Sequence, residues 1–296
     1  MQAMKQSAFQ RLDQLNQHPS YQVEPDSYGP RSYKIGLAIR SKGTGPQLVL
    51  IHGGSGSRTH WARNLDSLSR KFKVITPDLP GFGESANPPD EISTEEYLGW
   101  VAHAVRLAVS DEPFHLVGFS FGGVISAGVA AILSTHAHAP VGLTLVSPAG
   151  FGKPEGRAIR LERVKGIHED NISAIRAVTA RNLGRWMLAK EPSPSDASVD
   201  IHLQNVRHTR FDSRKISHGN LLVDHVLRAS VPTQILLGED DPLIFPSLRE
   251  RIMLMTVSIP SARIEVIPGA GHWLPYEASD VVNLKICQFH LQGQNQ

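Results

Sequence analysis

The 296-residue chain has one cysteine, Cys287, so no disulfide can form within it. Cys287 lies in an apolar helical pattern near the C-terminus, where a thiol packs as a small hydrophobe. No run approaches the roughly 18 apolar residues that a membrane span needs. The first 20 residues are polar and Gln-rich and lack the apolar stretch of a secretory signal. A cytoplasmic location without a membrane span is therefore expected. Charge of one sign is lacking too. The chain has 30 Lys and Arg against 28 Asp and Glu, a net charge of +2, and no Lys/Arg block stands out. That balance gives no support to nucleic acid as a partner. The 14 histidines form neither a His-Glu-x-x-His nor a Cys/His metal spacing, so no metal and no cofactor are expected. What remains is a small-molecule substrate as partner, with a homo-oligomer left open.

A hydrophobic fraction of 41% and a charged fraction of 20% belong to a globular protein. The length suffices for one large domain carrying an insertion. Residues 1–30 are polar, and a thin apolar stripe of Phe9, Leu12 and Leu15 suits a short helix or a loose arm. Strand patterns then run over Tyr33–Ile39, Gln47–Ile51, Lys73–Thr76, Phe114–Phe119 and Val141–Val146. Helical patterns alternate with them. One starts at Ser93, whose spacing to Glu96 is that of a capping box, and buries Leu98, Val101, Ala102, Val105 and Val109. Another covers Gly123–Ser134. This alternation predicts βαβ units, and hence an α/β fold with a parallel sheet and helices on both faces.

Over residues 149–230 the strand runs stop. Helical stretches at Ile159–Lys165, Asn171–Ala189 and Ser198–Arg207 are joined by Pro/Ser-rich segments, and 10 Arg and 4 Lys against 9 Asp and Glu give this part a charge of +5. The sheet pattern resumes at Thr233–Leu237 and Arg263–Ile267, with helices at Ser247–Met255 and Tyr276–Leu291. The chain therefore reads as a core of 1–148 and 231–296 interrupted by a helical insertion of 149–230.

Three predicted strand ends carry chemistry. Phe114–Phe119 runs into Gly118-Phe119-Ser120-Phe121-Gly122, the Gly-x-Ser-x-Gly signature of a nucleophile elbow. Glycine on either side removes the Cβ atoms that a turn this tight would bring into collision. Thr233–Leu237 runs into Gly238-Glu239-Asp240-Asp241-Pro242, and Arg263–Ile267 into Pro268-Gly269-Ala270-Gly271-His272-Trp273. Serine, an aspartate and a histidine thus follow parallel strands at one edge of the sheet, where open α/β sheets carry their sites. A serine hydroxyl needs a base to take its proton as it attacks. Histidine titrates near neutrality, and a buried carboxylate orients it.

Two further loops complete a resemblance: His52-Gly53-Gly54 after a strand, and Asp78-Leu79-Pro80-Gly81-Phe82-Gly83-Glu84-Ser85. With the elbow, Gly238-x-x-Asp241 and Gly271-His272-Trp273, the chain resembles the α/β-hydrolases from about residue 30 to the C-terminus. The resemblance implies a mostly parallel central sheet with a helical cap inserted after the sixth strand. It implies Ser120 as nucleophile, His272 as base and Asp241 as acid, with Asp240 the competing neighbour. The backbone N–H of Phe121 and of Gly54 would form the oxyanion hole, with Ser55 as the alternative to Gly54. His52 is expected to hold its loop. Trp273 would either line the pocket or pack the loop against the closing helix. The layout is also similar to the meta-cleavage-product C–C hydrolases, which place a substrate-binding arginine in the part of the cap where Arg207 stands. The His52-Gly53-Gly54-Ser55-Gly56-Ser57 loop departs from the His-Gly-Ser-Gly-Pro-Gly form of that group, which favours ester over C–C hydrolysis. A hydrolase-fold binding protein without turnover is the remaining alternative.

Overall fold

The computed structural model describes residues 21–23, 35–136, 139–154, 159–164, 167–168 and 170–292. The stripe at Phe9, Leu12 and Leu15 lies outside them. A seven-stranded sheet runs in the order β3 (Ile39–Lys42), β5 (Lys73–Pro77), β4 (Gln47–Ile51), β6 (Phe114–Phe119), β7 (Pro140–Val146), β8 (Thr233–Gly238) and β9 (Arg263–Ile267). Only β3 is antiparallel to its neighbour. The expected strand over 33–39 is broken at Ala38: β2 (Ile35–Leu37) pairs with β1 (Tyr21–Val23) in a small sheet of its own.

Successive side chains of a strand point to opposite faces, so a sheet covered on both sides must be apolar throughout. All five residues of β4 are buried. Val49 and Ile51 join one core with helices α2 (Thr94–Ala108) and α3 (Phe121–Leu133), and Leu48 and Leu50 join the other with Trp61, Leu68 of α1 (Leu65–Leu68) and Val282 of the C-terminal helix. Helix α2 starts at the expected capping box: the Ser93 hydroxyl accepts from Glu96 N–H (3.1 Å), and the Glu96 carboxylate accepts from Ser93 N–H (3.0 Å). That closes two of the four N–H groups a helix start leaves open.

Between β7 and β8 lie α4 (Ile172–Trp186), α5 (Ala197–Arg207), α6 (Arg214–Ser217) and α7 (Leu222–Ala229). The segment leaves the sheet after β7 and the chain returns to it at β8, the neighbouring strand. Leu222 and Val226 of α7 belong to the same core as α2 and α3, so α7 is packed as a layer of the sheet. The helix expected over Ile159–Lys165 does not form in 159–164, and Lys165 lies outside the described residues. The Asn182 side chain of α4 accepts from Glu162 N–H (2.8 Å) and donates to Glu162 C=O (3.0 Å), taking both backbone groups that a helix would use. The closing helix is two helices, α9 (Leu274–Glu277) and α10 (Ser279–Gln292). Another, α8 (Leu248–Ser258), starts at Ser247, whose hydroxyl accepts from Glu250 N–H. Among the described residues no helix is long and apolar enough to cross a membrane.

Candidate active site

β6 ends at Phe119 and α3 begins at Phe121, so the whole turn falls on Ser120, with φ 54° and ψ −115°. A residue with a Cβ is strained there, and the turn is held by its surroundings. Ser120 N–H donates to Val146 C=O (2.9 Å), and Ser120 C=O accepts from Gly123 N–H (2.8 Å) and Ala149 N–H (3.0 Å). A Cβ on Gly118 would run into the Gly122 carbonyl, and one on Gly122 into the carbonyls of Ile51 and His52. The two glycines are therefore the condition for β6 and α3 to meet at so sharp a corner beside β4.

Ser120 Oγ lies 2.8 Å from His272 Nε2, and His272 Nδ1 lies 2.8 Å from Asp241 Oδ2. A carboxylate only accepts, so Nδ1 carries the proton and Nε2 is free to accept from the serine hydroxyl. The other Asp241 oxygen accepts from Leu243 N–H (2.8 Å). Burial pushes the Asp241 carboxyl up, but the charge and hydrogen bond of His272, with the Leu243 N–H, outweigh it and hold the group below its ordinary value. Asp240 is exposed, and its N–H donates to Ala270 C=O (3.0 Å). Of the two neighbouring aspartates, Asp241 is the one at the imidazole.

The loop after β4 is built on histidines. His52 Nδ1–H donates to Gly53 C=O (2.8 Å), and Nε2 accepts from Leu79 N–H (2.9 Å), which fixes a neutral ring. Burial lowers its pKa against the pull of Asp78. His60 Nδ1 accepts from Gly53 N–H (3.2 Å). Gly54, Ser55, Ser120, Phe121, Asp241 and His272 all line one cavity of about 1030 Å³. A Cβ on Gly54 would lie 3.7 Å from that of Phe121 and would strike the Ser213 hydroxyl. Phe121 opens α3, whose first N–H groups have no partner within the helix. Gly54 and Phe121 thus stand beside each other in the cavity that Ser120 also lines.

Two candidates lie elsewhere. Trp273 is fully buried between the His60 and Tyr276 rings, and its indole N–H donates to His60 C=O (3.1 Å), so it packs the loop and is not in the cavity lining. Arg207 is exposed at the end of α5, and it is not in the lining either. The cavity holds instead Arg210, Arg214 and Arg251, together with Phe151, Trp186 and Phe211. Sequence patterns had not singled these out, because helix packing and not local spacing brings them to the opening.

The profile of the alpha/beta hydrolase family matches residues 48–284, most of the chain. The chain belongs to the alpha/beta hydrolase family. Among the relatives of this α/β-hydrolase enzyme is the pimeloyl-[acyl-carrier protein] methyl ester esterase of Aeromonas hydrophila, 26% identical over 80% of this chain and 92% of that protein. The 2-hydroxy-6-oxo-6-(2'-aminophenyl)hexa-2,4-dienoic acid hydrolase of Metapseudomonas resinovorans is also 26% identical, over 79% of this chain and 80% of its own length. The structure of a Bacillus subtilis carboxylesterase superposes with a TM-score of 0.67 over 96% of both chains at 18% identity, a likeness of fold.

Proposed function

We propose that this α/β-hydrolase hydrolyses carboxylic esters of small to medium size through an acyl-enzyme, as a cytoplasmic protein. The observation that carries the reading is the unbroken line of hydrogen bonds from Ser120 through His272 to Asp241 at the cavity. The esterase among the relatives supports the choice of bond. Ser120 Oγ attacks the ester carbonyl while His272 Nε2 takes its proton. The oxyanion that forms lies between the N–H groups of Phe121 and Gly54. Its collapse breaks the C–O bond, and the departing alkoxide takes the proton from His272. Water then gives a proton to His272 and attacks the acyl carbon, and the acid leaves as Ser120 recovers its proton. Asp241, ionised throughout, holds the imidazole in the required tautomer. The stretch from α4 to α6 acts as a cap, since its Trp186 and its Phe211 line the cavity over Ser120.

A fluorophosphonate probe should label the protein at Ser120, and Ser120→Ala should stop p-nitrophenyl acetate hydrolysis with the fold retained. Turnover kept by Ser120→Ala would end this reading. The dienoic acid hydrolase among the relatives favours a second one, cleavage of a C–C bond in a vinylogous diketone acid. A panel of acyl chain lengths beside one ring-fission acid separates the two by which substrate has the higher kcat/KM.

A further inference from the structure

The cavity contains a guanidinium with room for an anion. Arg251, on α8, is half-buried in the lining, its guanidinium carbon 3.9 Å from the centre of the Phe151 ring. Its Nη2 donates to Phe245 C=O (2.8 Å), and among the described residues the guanidinium makes no other hydrogen bond and no ion pair. The other two arginines of the lining are engaged. Arg210 donates to Asn87 Oδ1 and to the carbonyls of Gly83, Ser85 and His208. Arg214 is forked onto Asp212.

Arg251 is held from two sides. The Phe151 backbone forms a bridge with Asn220, which fixes the ring beneath the guanidinium, and the Phe245 carbonyl fixes its edge. A side chain so placed has already lost most of its rotamer freedom, so a ligand does not have to order it. Burial holds the guanidinium below the ordinary arginine value, with Asp241 opposing. Asp241 is already bonded to His272, so among the described residues Arg251 has no acidic partner. A planar fork over an aromatic face suits a carboxylate in two parallel hydrogen bonds.

We propose that Arg251 is the specificity-determining residue of this site and binds a carboxylate on the substrate, at a distance from the bond broken at Ser120. The chemistry at Ser120 rests on the ester reading above; the binding of the carboxylate does not. The substrate class is then an ester that also carries a free carboxylate, on its acyl or its alcohol side.

The test measures binding to Ser120→Ala by titration calorimetry, with three probes of equal length. These are the monomethyl ester of a dicarboxylic acid, the dimethyl ester of the same acid, and an acetoxycarboxylic acid. At least one of the two anionic probes should bind about 10- to 100-fold more tightly than the neutral diester, as a charge-assisted fork does. Whichever does so places the carboxylate on the acyl or the alcohol side. Adding Arg251→Ala should bring the ratio to about one. Should that variant fail to fold, Arg251→Met keeps the stem over Phe151 and is expected to give the same result. Equal binding of all three probes, no binding of either anion, or a ratio unchanged by both Arg251 variants would overturn the assignment. Failure of the ester reading is seen separately, as absence of turnover of any ester by the unaltered enzyme while the binding ratio persists.

Discussion

Ser57 Oγ donates to Asn205 Oδ1 at 2.7 Å, a buried bond that ties the loop after β4 to helix α5. The Thr59 hydroxyl donates to the same oxygen at 2.9 Å. One side-chain amide therefore couples the loop carrying Gly54 and Ser55 to the segment proposed as the cap. Asn205→Ala removes the shared acceptor; the two buried hydroxyls can bond each other only once, so one of their protons is left without an acceptor. It should lower stability by about 1–3 kcal/mol. Urea unfolding of the variant checks this, and a midpoint unchanged from the parent would show that the coupling adds nothing.

Asp241 and Asp240 differ by one position and by burial. Asp241→Asn keeps the shape but lets the imidazole take the wrong tautomer, for which a loss in kcat on the order of 10⁴ is expected. Asp240→Asn, exposed and bonded through its backbone, should stay within about threefold of the parent, since surface changes of this kind are small. The kcat of both variants on one ester decides it. The reverse order would move the acid to position 240.

Glycines in two settings should respond with opposite sign. Gly99 lies inside α2 with nothing within 4 Å of an added Cβ, so Gly99→Ala should stabilise by about 0.5–1 kcal/mol. Gly122→Ala drives a methyl into the carbonyls of Ile51 and His52 and should destabilise by about 1–3 kcal/mol or more. Thermal midpoints of the two variants should lie on either side of the parent's. A Gly122→Ala midpoint at or above it would mean that the elbow can relax.

His115 and His290 meet at Nδ1–Nδ1 3.0 Å behind the sheet, and His290 Nε2 is 2.8 Å from the Thr144 hydroxyl. Burial lowers His115 from 6.5 to about 4, and burial with the His115 charge pulls His290 down as well. A folded-state pKa below the unfolded value means that the unfolded chain takes up the proton first. Stability is thus intact above about pH 6.5 and falls as the pH drops toward 4, by roughly 3 kcal/mol for His115. Urea midpoints followed from pH 7 to pH 4 should fall less steeply in His115→Gln. Parallel curves for the two proteins would remove the pair from the acid sensitivity.

Much of the site was legible because its signals are local. Gly118, Ser120 and Gly122 are read from one turn, and the loops of Asp241 and His272 are each read from the strand before them. Where distant contacts decide the outcome, the local pattern misleads. The stretch 159–164 has helical character, yet Asn182 of α4 holds Glu162 out of a helix. Arg207 had the right charge and neighbourhood in sequence, but α5 turns it to solvent. Trp273 could face either way, and its indole N–H found the His60 carbonyl.

By itself the sequence determined the order of strands and helices and the residue types at the strand ends, since periodicity and turn chemistry act over a few residues. The tertiary structure decided which aspartate meets His272, that Ser120 and His272 close to 2.8 Å across 152 positions, and which cavity arginine has no ion pair among the described residues. Those outcomes depend on how the sheet and helices pack, and packing joins residues whose separation along the chain leaves no pattern to read.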